Sequence, residues 1–209
     1  MKRKNKAAIA TPSAQGQSAV QFEIRPDGTA QIKFDFSHLP EPPLYYYADC
    51  LALRVDVDNQ MVILSFGRSE GERKQFTDHV EVVMPTDKLF GDFWRSARDI
   101  EATVDQILQT RGWSAFPFRM EPPSAATQTF YANLLFMAVG MGESSLDFYQ
   151  LSPRQIHFAK SGLLKEIQVL PVLRVAISSA LSKQFLSEIG KHSQDRRTPI
   201  HESDGVVHA

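Results

Sequence analysis

Two series of short alternating segments, each followed by a long apolar stripe at steps of three and four residues, run through this chain. Alternation at every second residue is typical of a half-buried β-strand, and steps of three and four are typical of an amphipathic helix. The first series predicts strands over residues 45–57, 61–66 and 80–84, followed by a helix over residues 86–112. Because the connections are short, we expect an antiparallel meander in which the strand at 61–66 is central.

The same order of elements occurs again after residue 126. Strands are predicted over residues 130–139, 145–149 and 169–177, and a helix over residues 179–190. Tyr47-Ala48-Asp49 in the first series corresponds to Tyr131-Ala132-Asn133 in the second. The sequence therefore predicts an α+β fold with two diverged β-β-β-α units, produced by internal duplication. The alternative is that any meander followed by a helix gives this hydropathy pattern and that the shared Tyr-Ala pair is a coincidence.

The second series also resembles a small family of uncharacterised prokaryotic domains. Their core has a Tyr-Ala-Asn strand, a Leu-Asp-Phe strand and a Val-x-Val-x-x-Ser segment before a helix. Tyr131-Ala132-Asn133, Leu146-Asp147-Phe148 and residues 173–178 stand in that order, over about 60 of the 209 residues. The first series departs from the pattern with Asp49 and Pro85. Since the family has no assigned activity, the resemblance implies an architecture and no function.

A β-hairpin is predicted before the first series. Alternating apolar residues flank Pro26-Asp27-Gly28, and proline and glycine supply the backbone angles of a tight turn. The predicted organisation has five parts. They are a disordered basic tail (1–18), a first β-α unit with the hairpin (19–112), a linker (113–126), a second β-α unit (127–191) and a flexible C-terminal tail (192–209).

Composition limits the classes of partner and the compartment. Cys50 is the one cysteine, which excludes an internal disulfide framework and favours a reducing compartment. The 23 Lys and Arg residues against 24 Asp and Glu give no general electrostatic reason to bind nucleic acid. Within residues 130–139 the apolar run is far shorter than the roughly 20 residues that a membrane-spanning helix needs. We expect a cytoplasmic protein with no membrane or nucleic-acid partner.

Three short segments resemble the sequence motifs of known sites but lack the residues or the following element that those sites need. Residues 67–71 match the G-x-S-x-G of hydrolases, but a further strand and not a helix follows, so we expect a hairpin loop over residues 67–78. Gly140-Met141-Gly142 lacks the third glycine and the helix of a dinucleotide fingerprint. Asp56, Asp58 and Gln60 lack the glycine of a calcium loop. The last two motifs are interpreted as turns.

No metal, cofactor or catalytic residue is predicted. The six histidines do not have the spacing that presents two imidazoles from one helix face to a metal. Cys50 shares a strand face with Ala48 and Ala52, so we expect an unreactive, at least partly buried thiol.

The predicted function is non-catalytic binding of a protein partner, as a scaffold or chaperone-like protein, through a sheet edge or an apolar face. Self-association into a homodimer is one form of this hypothesis. Tyr45-Tyr46-Tyr47 are expected to anchor a strand; nucleobase stacking is the alternative, but no basic residue is interleaved with them. An enzyme of unknown reaction, with a site in a loop over residues 151–164 near Arg154 and His157, is the competing hypothesis.

Overall fold

The computed structural model describes residues 20–24, 30–35, 38–70, 75–111, 128–140, 142–164 and 166–195. The Pro26-Asp27-Gly28 turn, the N-terminal tail and most of the predicted linker and C-terminal tail lie outside these ranges. The chain divides into two compact units, and α1 to α3 and β1 to β10 below are numbered along the chain.

The smaller unit contains the predicted hairpin and a short helix. Strands β1 (Val20–Ile24) and β2 (Ala30–Phe34) pair antiparallel, as expected. Helix α2 (Pro153–Lys160) lies where a loop was predicted over residues 151–164, so that prediction is wrong. Proline suits the first turn of a helix because its missing N–H has no helical partner there. The helix ends where Gly162 has a φ of 73° and the Leu163 N–H donates to the Phe158 carbonyl at 2.9 Å.

In its described residues, the larger unit contains eight strands in two four-stranded sheets and two long helices. Sheet I has the order β4-β5-β6-β7, and sheet II has the order β3-β10-β9-β8. The strands of sheet I are β4 (Cys50–Asp56), β5 (Met61–Glu70), β6 (Gln75–Pro85) and β7 (Gln128–Tyr131). The strands of sheet II are β3 (Tyr45–Ala48), β8 (Leu134–Val139), β9 (Glu143–Leu151) and β10 (Val169–Ser178). The fold class is α+β, with an antiparallel meander in each sheet.

Two predicted strands are each divided between the two sheets. Residues 45–57 form β3 in sheet II and β4 in sheet I, separated at Asp49. Residues 130–139 likewise form the end of β7 in sheet I and β8 in sheet II. The prediction of single strands is wrong because the chain bends and its alternation changes phase where the strands switch sheets. Ala48 and then Leu51 face the core at the first bend, and Ala132 and then Leu135 face it at the second. Ala48 and Ala132 lie fully buried next to these bends, where a larger side chain has no room.

The exchanged strands β3 and β7 add a parallel edge to each antiparallel meander. Tyr47 of β3 pairs with Ala176 of β10, and Tyr131 of β7 pairs with Val83 of β6. Tyr47 and Tyr131 are the two tyrosines that the sequence pattern placed at equivalent positions. The remaining pairs also agree, since Phe66 pairs with Leu51 and Val80, whereas Phe148 pairs with Leu135 and Leu173. The two sheets therefore share order and register, while descent by duplication stays a prediction.

Other strand boundaries differ from expectation in one place. Strand β5 continues through Glu70 and β6 begins at Gln75, so most of the hairpin loop predicted over residues 67–78 is strand. A register shift between Phe66 and Arg68 lets β5 continue past Gly67. As predicted, β5 is central, between β4 and β6.

The long helices follow β6 and β10 and pack on the apolar faces of the sheets. The first begins with a π-helical turn, Lys88–Phe93, and continues as α1 (Trp94–Arg111); α3 is Ser179–Asp195. The Ser193 hydroxyl of α3 donates to the Phe90 carbonyl in the π-helical turn at 2.8 Å. Trp94 is buried, and its ring lies against Gly190 of α3. Both sheets and both helices contribute to one apolar core.

Candidate interaction surface

The exposed tyrosines of β3 are the most prominent surface feature of the larger unit. Alternation along the strand places Tyr46 and Ala48 on the core side and Tyr45 and Tyr47 on the opposite, outer face. Tyr45 is 61% exposed and Tyr47 is 43% exposed, although β3 is paired with β10. Leu44, next to them, is also exposed. These residues lie at the edge of sheet II, since β10 is the one sheet neighbour of β3.

A charged pair continues this surface across the outer face of sheet II. Tyr45 is beside Arg174 of β10, and Arg174 is beside Asp147 of β9. The Arg174 Nε donates to Asp147 Oδ1 at 2.6 Å, and a terminal guanidinium nitrogen donates to Oδ2 at 2.7 Å. This bidentate geometry is the strong form of an ion pair between arginine and a carboxylate. The hydrogen bonds to Asp147 are the main reason that the pKa of Arg174 is raised, so the pair stays charged.

Across sheet II, the row of paired residues Tyr45, Arg174 and Asp147 ends at Phe136 of β8, and Tyr149 of β9 packs against Phe136. Their rings pack edge to face with centroids 5.7 Å apart, and Phe136 is the β8 neighbour of Asp147. Burial is the main reason that the pKa of Tyr149 is raised, and the Asp147 carboxylate raises it further. The Tyr149 phenol is therefore neutral at physiological pH.

A second arginine contacts the tyrosine edge from sheet I. The Arg68 guanidinium lies 5.9 Å from the centroid of the Tyr47 ring, and its Nε donates to the Tyr47 carbonyl at 3.3 Å. The sequence placed no basic residue among the tyrosines, but folding brings Arg68 and Arg174 beside them. We use the name tyrosine edge for Leu44, Tyr45, Tyr47, Arg68 and Arg174.

The equivalent positions of sheet I have a different chemistry. Thr129, Glu81 and Ser65 occupy the row that Tyr45, Arg174 and Asp147 occupy in sheet II. The Ser65 hydroxyl donates to Glu81 Oε1 at 3.2 Å. Tyr131, equivalent to Tyr47, is 43% exposed. Sheet I can therefore be compared with sheet II: it keeps a tyrosine at the position of Tyr47, but it has Thr129 at the position of Tyr45 and Glu81 at the position of Arg174.

The three segments that resemble the motifs of known sites form a strand and two turns. Ser69 lies inside β5, paired with Phe76, and not in a strand-to-helix turn. The Asn59 amide and backbone N–H groups donate to the Asp56 carboxylate at 2.8 and 3.1 Å and lower its pKa, which closes the β4–β5 turn. The Gly140 N–H donates to the Glu143 carbonyl at 2.9 Å in the β8–β9 turn. Both turn interpretations agree with the structure.

Histidines and the cysteine form no described reactive centre. Among the described residues, no group of three His, Cys, Asp or Glu side chains is placed to share a metal ion. His79, His157 and His192 lie in β6, α2 and α3, respectively. Cys50 is fully buried, and this burial is the main reason that its pKa is raised to about 12. A thiol with this pKa is a poor nucleophile at physiological pH.

The residues of the competing enzyme hypothesis are exposed on α2. Arg154, His157 and Lys160 recur every third residue along this helix, and all three are exposed. The Arg154 guanidinium lies 5.3 Å from the centroid of the Phe158 ring, and the His157 ring centroid lies 6.1 Å from it. Both of these ring contacts lie within the helix itself.

Sequence reasoning missed Arg174 and Asp147 as a pair. The signal was present, because each is a single charged residue between two apolar ones, in Leu173-Arg174-Val175 and Leu146-Asp147-Phe148. A charge inside an otherwise apolar strand usually has a partner on the neighbouring strand.

Comparison with known proteins gives no match: no family model, no curated protein and no solved structure is similar to this chain at a significant level. In the part of the chain that the structure describes, no helix has both the length and the apolar character needed to cross a membrane. The resemblance to the uncharacterised domain family stays a prediction.

Proposed function

We propose that this protein is a non-catalytic protein-binding protein, a scaffold or chaperone-like protein of the cytoplasm, that holds a protein partner on the tyrosine edge. The observation that carries this proposal is the exposure of Tyr45 and Tyr47 next to two arginines at the edge of a sheet. Tyrosine and arginine are the residue types most enriched in the energetically dominant contacts of protein interfaces.

The chemistry of the tyrosine edge favours a protein partner over nucleic acid. Asp147 neutralises Arg174, and the formal charge of the whole chain is −1, so little electrostatic attraction for a phosphate backbone remains. Tyrosine rings bury a large area at a small cost in side-chain entropy, and their hydroxyls accept and donate at a wet rim. The matching surface is a segment of a partner protein with apolar side chains and polar ends.

The test compares two matched double variants of the full chain. Tyr45→Ser with Tyr47→Ser removes the exposed rings of the tyrosine edge, and Thr129→Ser with Tyr131→Ser changes the equivalent positions of sheet I. Each tagged variant is used to capture partners from the native host, and a captured protein is then purified and titrated. We expect at least a tenfold loss of affinity for the first variant, since two interface tyrosines are removed.

Unchanged circular dichroism and thermal midpoint would confirm that both variants are folded. Equal affinity of the two variants for every purified partner would contradict the proposal. Light scattering over micromolar concentrations tests the homodimer form of the same hypothesis, with the first variant again expected to lose association.

The enzyme hypothesis has its own readout in an unbiased metabolite turnover screen. A turnover that Arg154→Ala or His157→Ala abolishes, in a chain that captures no partner, would favour the enzyme over the binding protein. These two substitutions lie on α2, and neither residue belongs to the tyrosine edge.

A further inference from the structure

We infer that the larger unit is a fused, strand-exchanged pair of halves, and that a second copy of the chain can take the place of either half. Within the larger unit, the first half is residues 40–111 and the second half is residues 128–152 with 169–195. The inference rests on strand pairing and on side-chain contacts between the two halves, and it is independent of the proposed function.

Neither half completes a sheet from its own residues. Strand β3 belongs to the first half by sequence, but it pairs with β10 of the second half over residues Tyr45 to Ala48. Strand β7 belongs to the second half, but it pairs with β6 of the first half over residues Gln128 to Tyr131. Each half therefore gives its first strand to the other and receives the equivalent strand in return.

Side chains of the two halves also contact each other, and one of these contacts joins equivalent residues. Phe66 and Phe148, which have matching register positions, meet edge to face with centroids 5.8 Å apart. The Phe93 and Phe185 rings of the two helices lie 6.0 Å apart. The Tyr46 hydroxyl of one exchanged strand donates to the Gln128 side chain of the other at 2.7 Å. A contact between equivalent residues, as between Phe66 and Phe148, is expected at the centre of an isologous interface, the kind that builds symmetric homodimers.

A second chain can reproduce all of these contacts. If the first half of one chain pairs with the second half of another, every hydrogen bond and ring contact named above is available unchanged. Exchange of an identical element is a low-cost route to a dimer for this reason. Groups linked within one chain meet at an effective concentration on the order of 1 mM. Exchange between chains should therefore be absent after refolding at micromolar concentration and occur when the chain is refolded near ~1 mM.

The first test cuts the connection in the folded protein. A protease site is inserted within residues 112–127 of the full chain, and the protein is cleaved after folding. We expect the two fragments to remain together at the mass of the intact chain, 23.5 kDa. Their urea midpoint should then rise with concentration, whereas that of the uncut chain should not. Fragments that separate and each keep a cooperative transition of their own would overturn the inference.

The second test uses the unmodified chain and needs no insertion. The protein is unfolded in denaturant and refolded at ~1 µM and at ~1 mM, and the products are separated by size and weighed by light scattering. We expect a species of twice the monomer mass after refolding at ~1 mM that persists on dilution and returns to monomer after refolding at ~1 µM. Monomer as the sole folded product at both concentrations would overturn the exchange with a second copy.

Discussion

Asn133 explains why the Tyr-Ala-Asn sequence has a physical meaning in the second half. Its side-chain amide donates to the Leu151 carbonyl at 2.8 Å, and its side-chain oxygen accepts from the Leu151 N–H at 2.7 Å. One asparagine thus satisfies both backbone groups at the end of β9, beside the bend between β7 and β8. An amide can do this because it is both a donor and an acceptor, whereas an ionised carboxylate only accepts.

Asn133→Asp is therefore expected to destabilise the protein by about 1–3 kcal/mol, since it places a carboxylate oxygen against the Leu151 carbonyl without changing size. Urea unfolding measures the change. Gln150→Glu, the same type of replacement on the neighbouring position of β9, is the matched control and should change the free energy of unfolding by less than about 0.5 kcal/mol. Equal effects of the two would show that Asn133 acts through charge and not through its hydrogen bonds.

Cys50 gives a second prediction, on pH. The folded thiol loses its proton at about pH 12 and the unfolded thiol at its ordinary value of 9.0. Between these values the unfolded state binds fewer protons than the folded state. The free energy of unfolding therefore falls as the pH rises above 9, and below pH 9 this group causes no dependence of stability on pH. The difference between wild type and Cys50→Ala, measured by urea unfolding at pH 7 to 11, isolates this contribution from other titrating groups. A difference that stays constant with pH would contradict the assigned burial.

At the scale of elements, the pairing of α1 with α3 depends on one close approach. A Cβ at Gly190 would lie 2.8 and 2.9 Å from two carbons of the Trp94 ring, closer than carbon atoms approach without displacement. Gly190→Ala is expected to cost about 1–3 kcal/mol, because overpacking forces the ring or the helix to move. Thermal or urea unfolding gives the value.

Trp94 provides the complement to that substitution. Trp94→Ala is expected to cost about 3–5 kcal/mol, the usual loss for a large buried aromatic side chain. In the Trp94→Ala background, Gly190→Ala should become nearly neutral, because the ring it collides with is gone. A double-mutant cycle measures this coupling, and additive effects of the two substitutions would contradict the contact.

Local periodicity predicted most elements correctly and failed where the answer depended on distant residues. The alternation of β9, β10 and the hairpin is a local property, and so is the apolar stripe of α1. The assignment of β3 and β4 to different sheets is not, because Tyr45 finds its neighbour Arg174 far along the chain. The tyrosine edge was beyond prediction for the same reason, since its arginines come from β5 and β10. Helix α2 had readable signals in Pro153 and Gly162, but its eight residues are too few for a clear period.

At the scale of the whole molecule, the exchanged strands predict that the two sheets of the larger unit unfold together. Phe66→Ala removes a buried ring that belongs to sheet I and contacts Phe148 of sheet II. We expect a loss of about 3–5 kcal/mol. Native-state hydrogen exchange should show lower protection of amides in β6 and β10 by the same amount, because each strand completes its sheet with a strand from the other half. Val57→Ala, at a highly exposed position, is the control and should leave both unchanged. Protection lost from β6 alone would mean that the sheets are separate cooperative units despite the exchange of β3 and β7.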